Sequence, residues 1–191
     1  MGNQILNLDR VEFLNIKVVT NDGAFLKSET FPQLQVDNET MDVLTRSNLT
    51  FAPDEIDDPR HFMLVYGIKI DSEGRKKNDQ LPYGLEIEAV GYFHYSGGDE
   101  FKNEDRFRAV RHSGYQILYG AIREMVSNLT ARSRHGLWHL PARNFGRVAE
   151  MLAKEDEAAR QEKLAKKAKL LATTNPKKNS KSGGVKSIKK I

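Results

Sequence analysis

Residues 85–132, LEIEAVGYFHYSGGDEFKNEDRFRAVRHSGYQILYGAIREMVSNLTAR, hold the change of rhythm that decides the fold. Leu85, Ile87 and Ala89 alternate with Glu86 and Glu88, the period of two that marks a strand with one solvated face, and the run continues to Tyr95. Ser96, Gly97 and Gly98 then stop it. From about Asp105 to Arg132, apolar residues return at Phe107, Val110, Ile117, Leu118, Ala121, Ile122, Met125, Val126 and Leu129, which is helical spacing with a wide apolar arc. Gly114 and Gly120 interrupt it and allow a kink or a close backbone approach.

Upstream of this switch the chain reads as β structure. Phe62, Leu64, Tyr66, Ile68 and Ile70 alternate as a half-buried strand, with Met63 and Val65 making its other face partly apolar. Residues 43–51 predict a strand before it, with Val43, Leu49 and Phe51 on one face and Arg46, Asn48 and Thr50 on the other. Residues 11–20 (VEFLNIKVVT) predict the first strand, ended by Asn21-Asp22-Gly23. Its apolar parity switches between Phe13 and Leu14, which predicts a bulge or a twist there. Four strands joined by turns argue an antiparallel sheet. Residues 24–42 keep no period, contain Pro32 and yet carry Phe25, Leu26, Phe31, Leu34 and Val36. Connections usually run through water, so an apolar one either folds onto the core or offers a contact surface, and both readings stand.

Downstream, a linker (SRHGLWHLPA, 133–142) leads to a second helix that starts near Asn144, a good N-cap, and opens with Phe145, Val148, Ala149 and Leu152. Beyond Lys154 the sequence KEDEAARQEKLAKKAKLLA has high helix propensity and little to pack, so it is expected to be helical and solvated. The stretch TTNPKKNSKSGGVKSIKKI (173–191) has the composition of a disordered tail. The expected fold class is α+β: a four-stranded antiparallel sheet packed against two C-terminal helices. The expected division is a domain over residues 1–153, a charged helical extension over 154–173 and a disordered Lys-rich tail over 174–191.

Composition narrows the function classes. The 191 residues include no cysteine, which excludes disulfides, thiol nucleophiles and thiolate metal sites. No window approaches the roughly 20 apolar residues a membrane helix needs, and MGNQILNLDR lacks a basic and then apolar leader, so a cytoplasmic location without integral membrane association is expected. The myristoylation pattern fails at Leu6. From Lys154 onward the chain carries 12 basic and 4 acidic residues, leaving 18 basic and 22 acidic in residues 1–153. The tail could therefore contact nucleic acid weakly, but it lacks the aromatics and arginines for stacking or base readout.

No nucleotide-binding, hydrolase or metalloprotease motif is present, so no catalytic residue, no cofactor and no enzyme activity are expected. His135 and His139 have a helical ligand spacing, but Gly136 and Pro141 place them in a loop, and no metal site is expected. Glu86 and Glu88 sit on the solvated strand face, where little shifts a pKa, and the three N-x-S/T sequons matter only in a secreted chain.

The run QILYGAIRE (116–124), followed by LWHLPARNF (137–145), resembles the most recognisable part of the SecB export chaperones, which reads approximately N-I-L-F-P-Y-A-R-E and then Q-L-N-L-A-P-V-N-F. The spacing matches without a gap. Ile117, Leu118, Arg123, Glu124, Leu140, Asn144 and Phe145 agree outright, Tyr119 stands for a Phe, and Gly120 for a Pro that would equally interrupt a helix. Over residues 11–152 the resemblance is one of architecture.

What the resemblance implies is an ATP-independent holdase, a cytoplasmic homotetramer that takes unfolded or precursor polypeptides into apolar grooves. SecA or a dedicated antitoxin client would be its partner, although an extended second helix and a basic tail depart from the export proteins. Expected peptide-binding residues are Phe25, Leu26, Phe31 and Leu34 in the crossover, Leu49 and Phe51 on the second strand, and Leu137, Trp138, Phe145, Val148 and Leu152 around the second helix. Each has a core alternative, which for Phe51, Phe145 and Val148 is at least as strong. Tyr115 and Tyr119 are the expected oligomer-interface residues. A nucleic-acid or ribosome-associated module acting through the basic tail is the competing reading.

Overall fold

The computed structural model describes residues 5–21, 42–71 and 81–174. In chain order these form β1 (Leu6–Thr20), β2 (Leu44–Phe51), β3 (His61–Ile70), β4 (Tyr83–Tyr95), α1 (Asn103–Thr130) and α2 (Gly146–Thr174). The strands make one antiparallel sheet in the order β1-β4-β3-β2, with α1 packed on it and α2 packed against α1, so the expected α+β class is the one found. Consecutive strands β1 and β2 occupy opposite edges. The segment joining them, with Phe25, Leu26, Phe31 and Leu34, lies outside the described residues, as does the Lys-rich tail from residue 175.

Strand β1 starts five residues earlier than alternation predicts, and its register explains why. Pairing with β4 shifts between Phe13 and Asn15, where a bulge or a twist is predicted, and again between Leu8 and Arg10. Each extra residue resets the parity. The result puts Leu6, Leu8, Val11, Phe13, Ile16 and Val18 opposite Tyr95, Phe93, Gly91, Ala89, Ile87 and Leu85, so one apolar face is kept along a strand whose sequence never alternates for long.

Helix α1 lies close against β3 and β4 because two glycines let it. A Cβ on Gly114 would stand 2.6 Å from Leu64 Cδ2, and one on Gly91 of β4 would stand 2.6 Å from the Phe93 ring and 3.1 Å from Leu118 Cδ2. The helix therefore runs unbroken through Gly114, which serves close approach. Phe107, Val110, Leu118, Ile122 and Val126 reach the core formed by Phe62, Leu64, Ile68, Ile87 and Phe93. Burying each such side chain fully stabilises by about 1.5–3 kcal/mol.

Helix α2 corrects an expectation. Its extension beyond Lys154 is helical but does not stand free in solvent. Ala153 and Arg160 are buried, and Asp156, Glu157 and Leu164 are half-buried, a stripe at three- and four-residue spacing that docks onto α1 and residues 56–57. The Phe145 carbonyl accepts the Ala149 N–H at 2.9 Å and so takes the N-cap position of α2, one residue after the expected Asn144, whose Oδ1 accepts the Gly146 N–H at 2.8 Å.

Candidate functional site

The two segments that carry the sequence resemblance are hydrogen-bonded to each other. On α1, Tyr119, Arg123, Ser127 and Thr130 follow at roughly helical spacing and face the linker. Tyr119 Oη donates to the Pro141 carbonyl at 2.6 Å, and Arg123 Nε donates to the Leu140 carbonyl at 2.8 Å. Thr130 Oγ1 accepts the Trp138 N–H at 2.9 Å, and Ser127 Oγ donates to the Trp138 carbonyl at 3.4 Å. An otherwise irregular linker is thereby fixed along one helix face, and its exit direction is set. Phe145, at the end of it, enters a cluster with Tyr66, Tyr115 and Tyr119 at centroid distances of 5.8, 5.4 and 5.5 Å.

Next to that cluster the structure opens a concavity of ≈ 500 Å³ between the edge strand β2 and the first turns of α2. Its walls are Phe145, Val148 and Leu152 on one side and Thr45 and Ser47 on the other, with Tyr66 and Tyr115 below and Arg143 and Asn144 at the rim. Strand parity explains the β2 side. Thr45, Ser47, Leu49 and Phe51 share the face opposite Ile68, Tyr66, Leu64 and Phe62 of β3. At the edge that face is incompletely covered by α2.

A polar node closes one side of the concavity. Ser47 Oγ and Tyr115 Oη are 2.8 Å apart, and Arg111 Nη1 donates to the same Tyr115 oxygen. Arg111 also donates through Nε and Nη2 to both oxygens of Asp156 on α2, at 2.5 and 2.8 Å. Further along, Arg160 donates to the Ile56 carbonyl at 3.0 Å and to Asn103 Oδ1 at 3.0 Å while pairing with Glu157. Lys163 Nζ stands 5.7 Å over the Phe51 ring, and Lys167 pairs with Asp57. Arg106, buried like Arg111 and Arg160, bonds Asp58 and the Pro59 carbonyl. Charged side chains thus clamp α2 and residues 53–60 onto the body.

Two side-chain groups in the described residues are buried without a hydrogen-bond partner, Tyr66 Oη and Trp138 Nε1. Burial pushes the Tyr66 hydroxyl above its ordinary value, and the neighbouring Arg143 guanidinium opposes this through its charge and its approach to the hydroxyl. The Tyr119 hydroxyl is pushed up to about 12, again mainly by burial. Both are neutral donors at physiological pH.

The structure brings together only part of the expected residue set. Phe145, Val148 and Leu152 line the concavity as a group. Phe51 is half-buried against Phe62 and Phe107. Three expectations are corrected by burial. Trp138, at 0% exposure, packs against Tyr83 at 5.9 Å and presents nothing outward. Leu49 faces Leu64 in the core. Tyr115 and Tyr119 point inward within the protomer, because they share the buried arc of α1 with Arg111 and Ile122; the outward face carries Ile117 and Gly120 instead. Leu137 is half-buried beside Trp138 and does not line the concavity. Tyr66, Ser47, Arg143 and the Arg111–Asp156 pair were not anticipated. The available signal was an arginine set within an apolar helical arc and a tyrosine on the inward parity of a strand.

The chain has a SecB-like fold. No protein-family model matches it, and no curated protein does. Among solved structures, it is similar to the Mycobacterium tuberculosis SecB-like chaperone Rv1957 in complex with a ChAD peptide from the Rv1956 HigA1 antitoxin. The identity is 19%, 73% of this chain and 91% of that chain are covered, and the TM-score is 0.51. A Streptococcus agalactiae protein of unknown function matches at 9% identity over 72% of this chain and 97% of that one, with a TM-score of 0.41.

Proposed function

We propose that this protein is an ATP-independent holdase chaperone that binds non-native polypeptides without catalysing a reaction. The observation that carries the reading is the concavity of Phe145, Val148, Leu152, Tyr66 and Tyr115 beside an open edge strand, in a fold whose solved neighbour holds a peptide. Phe51 and the crossover residues Phe25, Leu26, Phe31 and Leu34 are proposed to extend it. Burying about 400 Å² of apolar client surface gives on the order of 10 kcal/mol before ordering costs remove much of it, so single sites bind weakly to moderately. A homotetramer would link several such sites, and effective concentration would supply the holding power.

The proposed clients are unfolded or precursor chains or one dedicated antitoxin, with a cytoplasmic setting; SecA engagement belongs to the precursor case. The test is dilution of a denatured client enzyme with and without the protein, in nucleotide-free buffer, followed by light scattering. Suppressed aggregation at near-stoichiometric ratios supports the reading, and unaltered aggregation sinks it. Protection should survive deletion of residues 174–191; protection that vanished with the tail would favour the tail-based alternative.

A further inference from the structure

The register of β3 and β4 brings two histidines together on the side of the sheet away from α1. Phe62 and Phe93 face each other in the core, so the adjoining pair, His61 opposite His94, falls on the other face. Their imidazole rings stack with centroids 4.7 Å apart and planes 7° from parallel. His61 keeps 59% of its side chain exposed, and His94 is half-buried. Glu55 fixes the tautomer of His61. Its Oε2 accepts the backbone N–H groups of Arg60 and His61 at 2.9 and 2.8 Å, and its Oε1 lies 2.5 Å from His61 Nδ1. An ionised carboxylate only accepts, so Nδ1 carries the proton and the lone pair sits on Nε2. The ring of His94 makes no hydrogen bond among the described residues, and the broad χ2 torsion of histidine lets it turn.

An imidazole oriented by an outer carboxylate, with a second imidazole directly across the ladder, is the arrangement of a metal-ligating pair. Two nitrogens bound to one ion at about 2.0–2.1 Å stand about 3–3.5 Å apart, which a turn of His94 out of the stack reaches. Imidazole nitrogen suits copper, nickel and zinc, whereas magnesium and calcium prefer oxygen. Beside the pair, Asp9, the extra residue of a β1 bulge, lines a hollow of ≈ 350 Å³ with His61, Met63 and Tyr92, which has room for metal-bound water and adds negative charge. Arg10 is turned onto the Tyr92 ring at 4.2 Å and pairs with Glu12 at 3.0 Å. We infer that His61 and His94 form a site for a late first-row divalent cation, with Glu55 as its positioning residue. Among the described residues no three His, Asp or Glu side chains converge on one point, so the site has two protein nitrogens and water completes it. A bound ion would tie β3 to β4 and, through Glu55, hold the turn on which α2 docks by Arg160 and Lys167. The site lies on the opposite sheet face from the β2–α2 concavity and is independent of the holdase reading.

The test is calorimetric titration of Cu²⁺, Ni²⁺ and Mg²⁺ into the full-length protein, with pulsed EPR on the Cu²⁺ form to count bound imidazoles. Cu²⁺ should bind tightest and show two imidazole nitrogens, Ni²⁺ should bind the same site more weakly, and Mg²⁺ should not bind. His94→Gln loses no hydrogen bond and should melt with the unaltered protein when metal is absent. It should lose the two-imidazole signal and bind Cu²⁺ at least roughly tenfold more weakly. Glu55→Gln should weaken Cu²⁺ binding by about 10–100-fold while the two-imidazole signal persists at saturation, the mark of a residue that orients a ligand. A Cu²⁺ affinity no greater than that for Mg²⁺ overturns the site. A two-imidazole signal that survives in His94→Gln, or a signal of one imidazole in the unaltered protein, assigns the ion to the other histidines, His112, His135 or His139, and overturns the pairing. Unchanged affinity in Glu55→Gln overturns the positioning role.

Discussion

Arg111 on α1 donates to both carboxylate oxygens of Asp156 on α2, and both side chains are largely out of solvent, at 5% and 16% exposure. This pair joins the core helix to a stretch whose sequence reads as a solvated extension. Removing one partner leaves the other charge buried and unmatched, so Asp156→Ala or Arg111→Ala should each cost about 3–5 kcal/mol. The Arg111→Met, Asp156→Leu double variant should recover most of that loss, because replacing both charges by apolar groups removes the desolvation problem. Truncation gives the same contrast: ending the chain at residue 153 should destabilise it markedly, while ending it at 173 should not. Urea unfolding midpoints of these variants decide the matter, and a neutral Asp156→Ala would show that α2 is only loosely docked.

Gly114 and Gly120 lie on one helix and should respond to alanine with opposite signs. At Gly114 the added Cβ meets Leu64 at 2.6 Å, whereas at Gly120 it meets nothing within 4 Å. Gly114→Ala should therefore destabilise by about 1–3 kcal/mol through overpacking. Gly120→Ala should stabilise by up to about 1 kcal/mol through helix propensity. Thermal unfolding with matched secondary-structure content separates these outcomes, and equal effects at the two sites would contradict the packing described.

Much of this architecture is legible in the sequence because the elements keep their periods. Strands β3 and β4 and helix α1 carry apolar residues at spacings of two or three to four, and the parity break at Phe13, read as a bulge or a twist, falls where the register shifts. What was not legible has a common cause: polar residues used as packing surface. The docked stripe of α2 is carried between Ala153 and Leu164 by Asp156, Glu157 and Arg160, which no hydrophobic pattern registers, although Arg106 and Arg111 within the apolar arc of α1 were the complementary signal. Trp138 sits in an irregular linker, and burial there follows from hydrogen bonds to Thr130 and Ser127 that periodicity cannot show. Within the site, Phe145, Val148 and Leu152 were readable from the amphipathic opening of α2. Tyr66 and Arg143 were not, since only the three-dimensional arrangement brings a strand tyrosine and a linker arginine to one concavity.

The turn before β3 should loosen in acid. The carboxylate of Asp58 is held below its ordinary value chiefly by the hydrogen bond from Arg106. At Glu55 burial pushes the value up but is outweighed by donation from the His61 and Arg60 N–H groups, and at Glu157 burial is outweighed by Arg160 and Gln161. Groups whose pKa is lower folded than unfolded contribute stability that is complete above the unfolded values and lost as pH falls through the folded ones. Melting temperature should therefore decline below about pH 4, the lower end of the ordinary Asp and Glu range. Glu55→Gln should shrink that decline. A melting temperature unchanged from pH 5 to pH 3 would contradict these pairings.

Val148 and Leu152 separate binding from folding on α2. They follow four residues apart and stay half-buried while lining the concavity, whereas Ala149 and Ala153, one residue further round, are at 0% exposure and carry the packing on the body. Replacing both by serine removes apolar wall from the concavity and leaves the inner stripe with its Asp156 anchor in place. A half-buried Leu and Val that become fully buried under a client contribute about 2 kcal/mol together, so the affinity for an apolar peptide should fall by roughly tenfold to thirtyfold. The melting temperature should move by only a few degrees, as for partly exposed positions generally. Leu170 is the matched control: at 68% exposure and well beyond the concavity in sequence, its replacement by serine should leave peptide affinity unchanged. Anisotropy titrations of one labelled peptide against the three proteins would decide it, and equal affinities for Val148→Ser, Leu152→Ser and the unaltered chain would move the binding surface elsewhere.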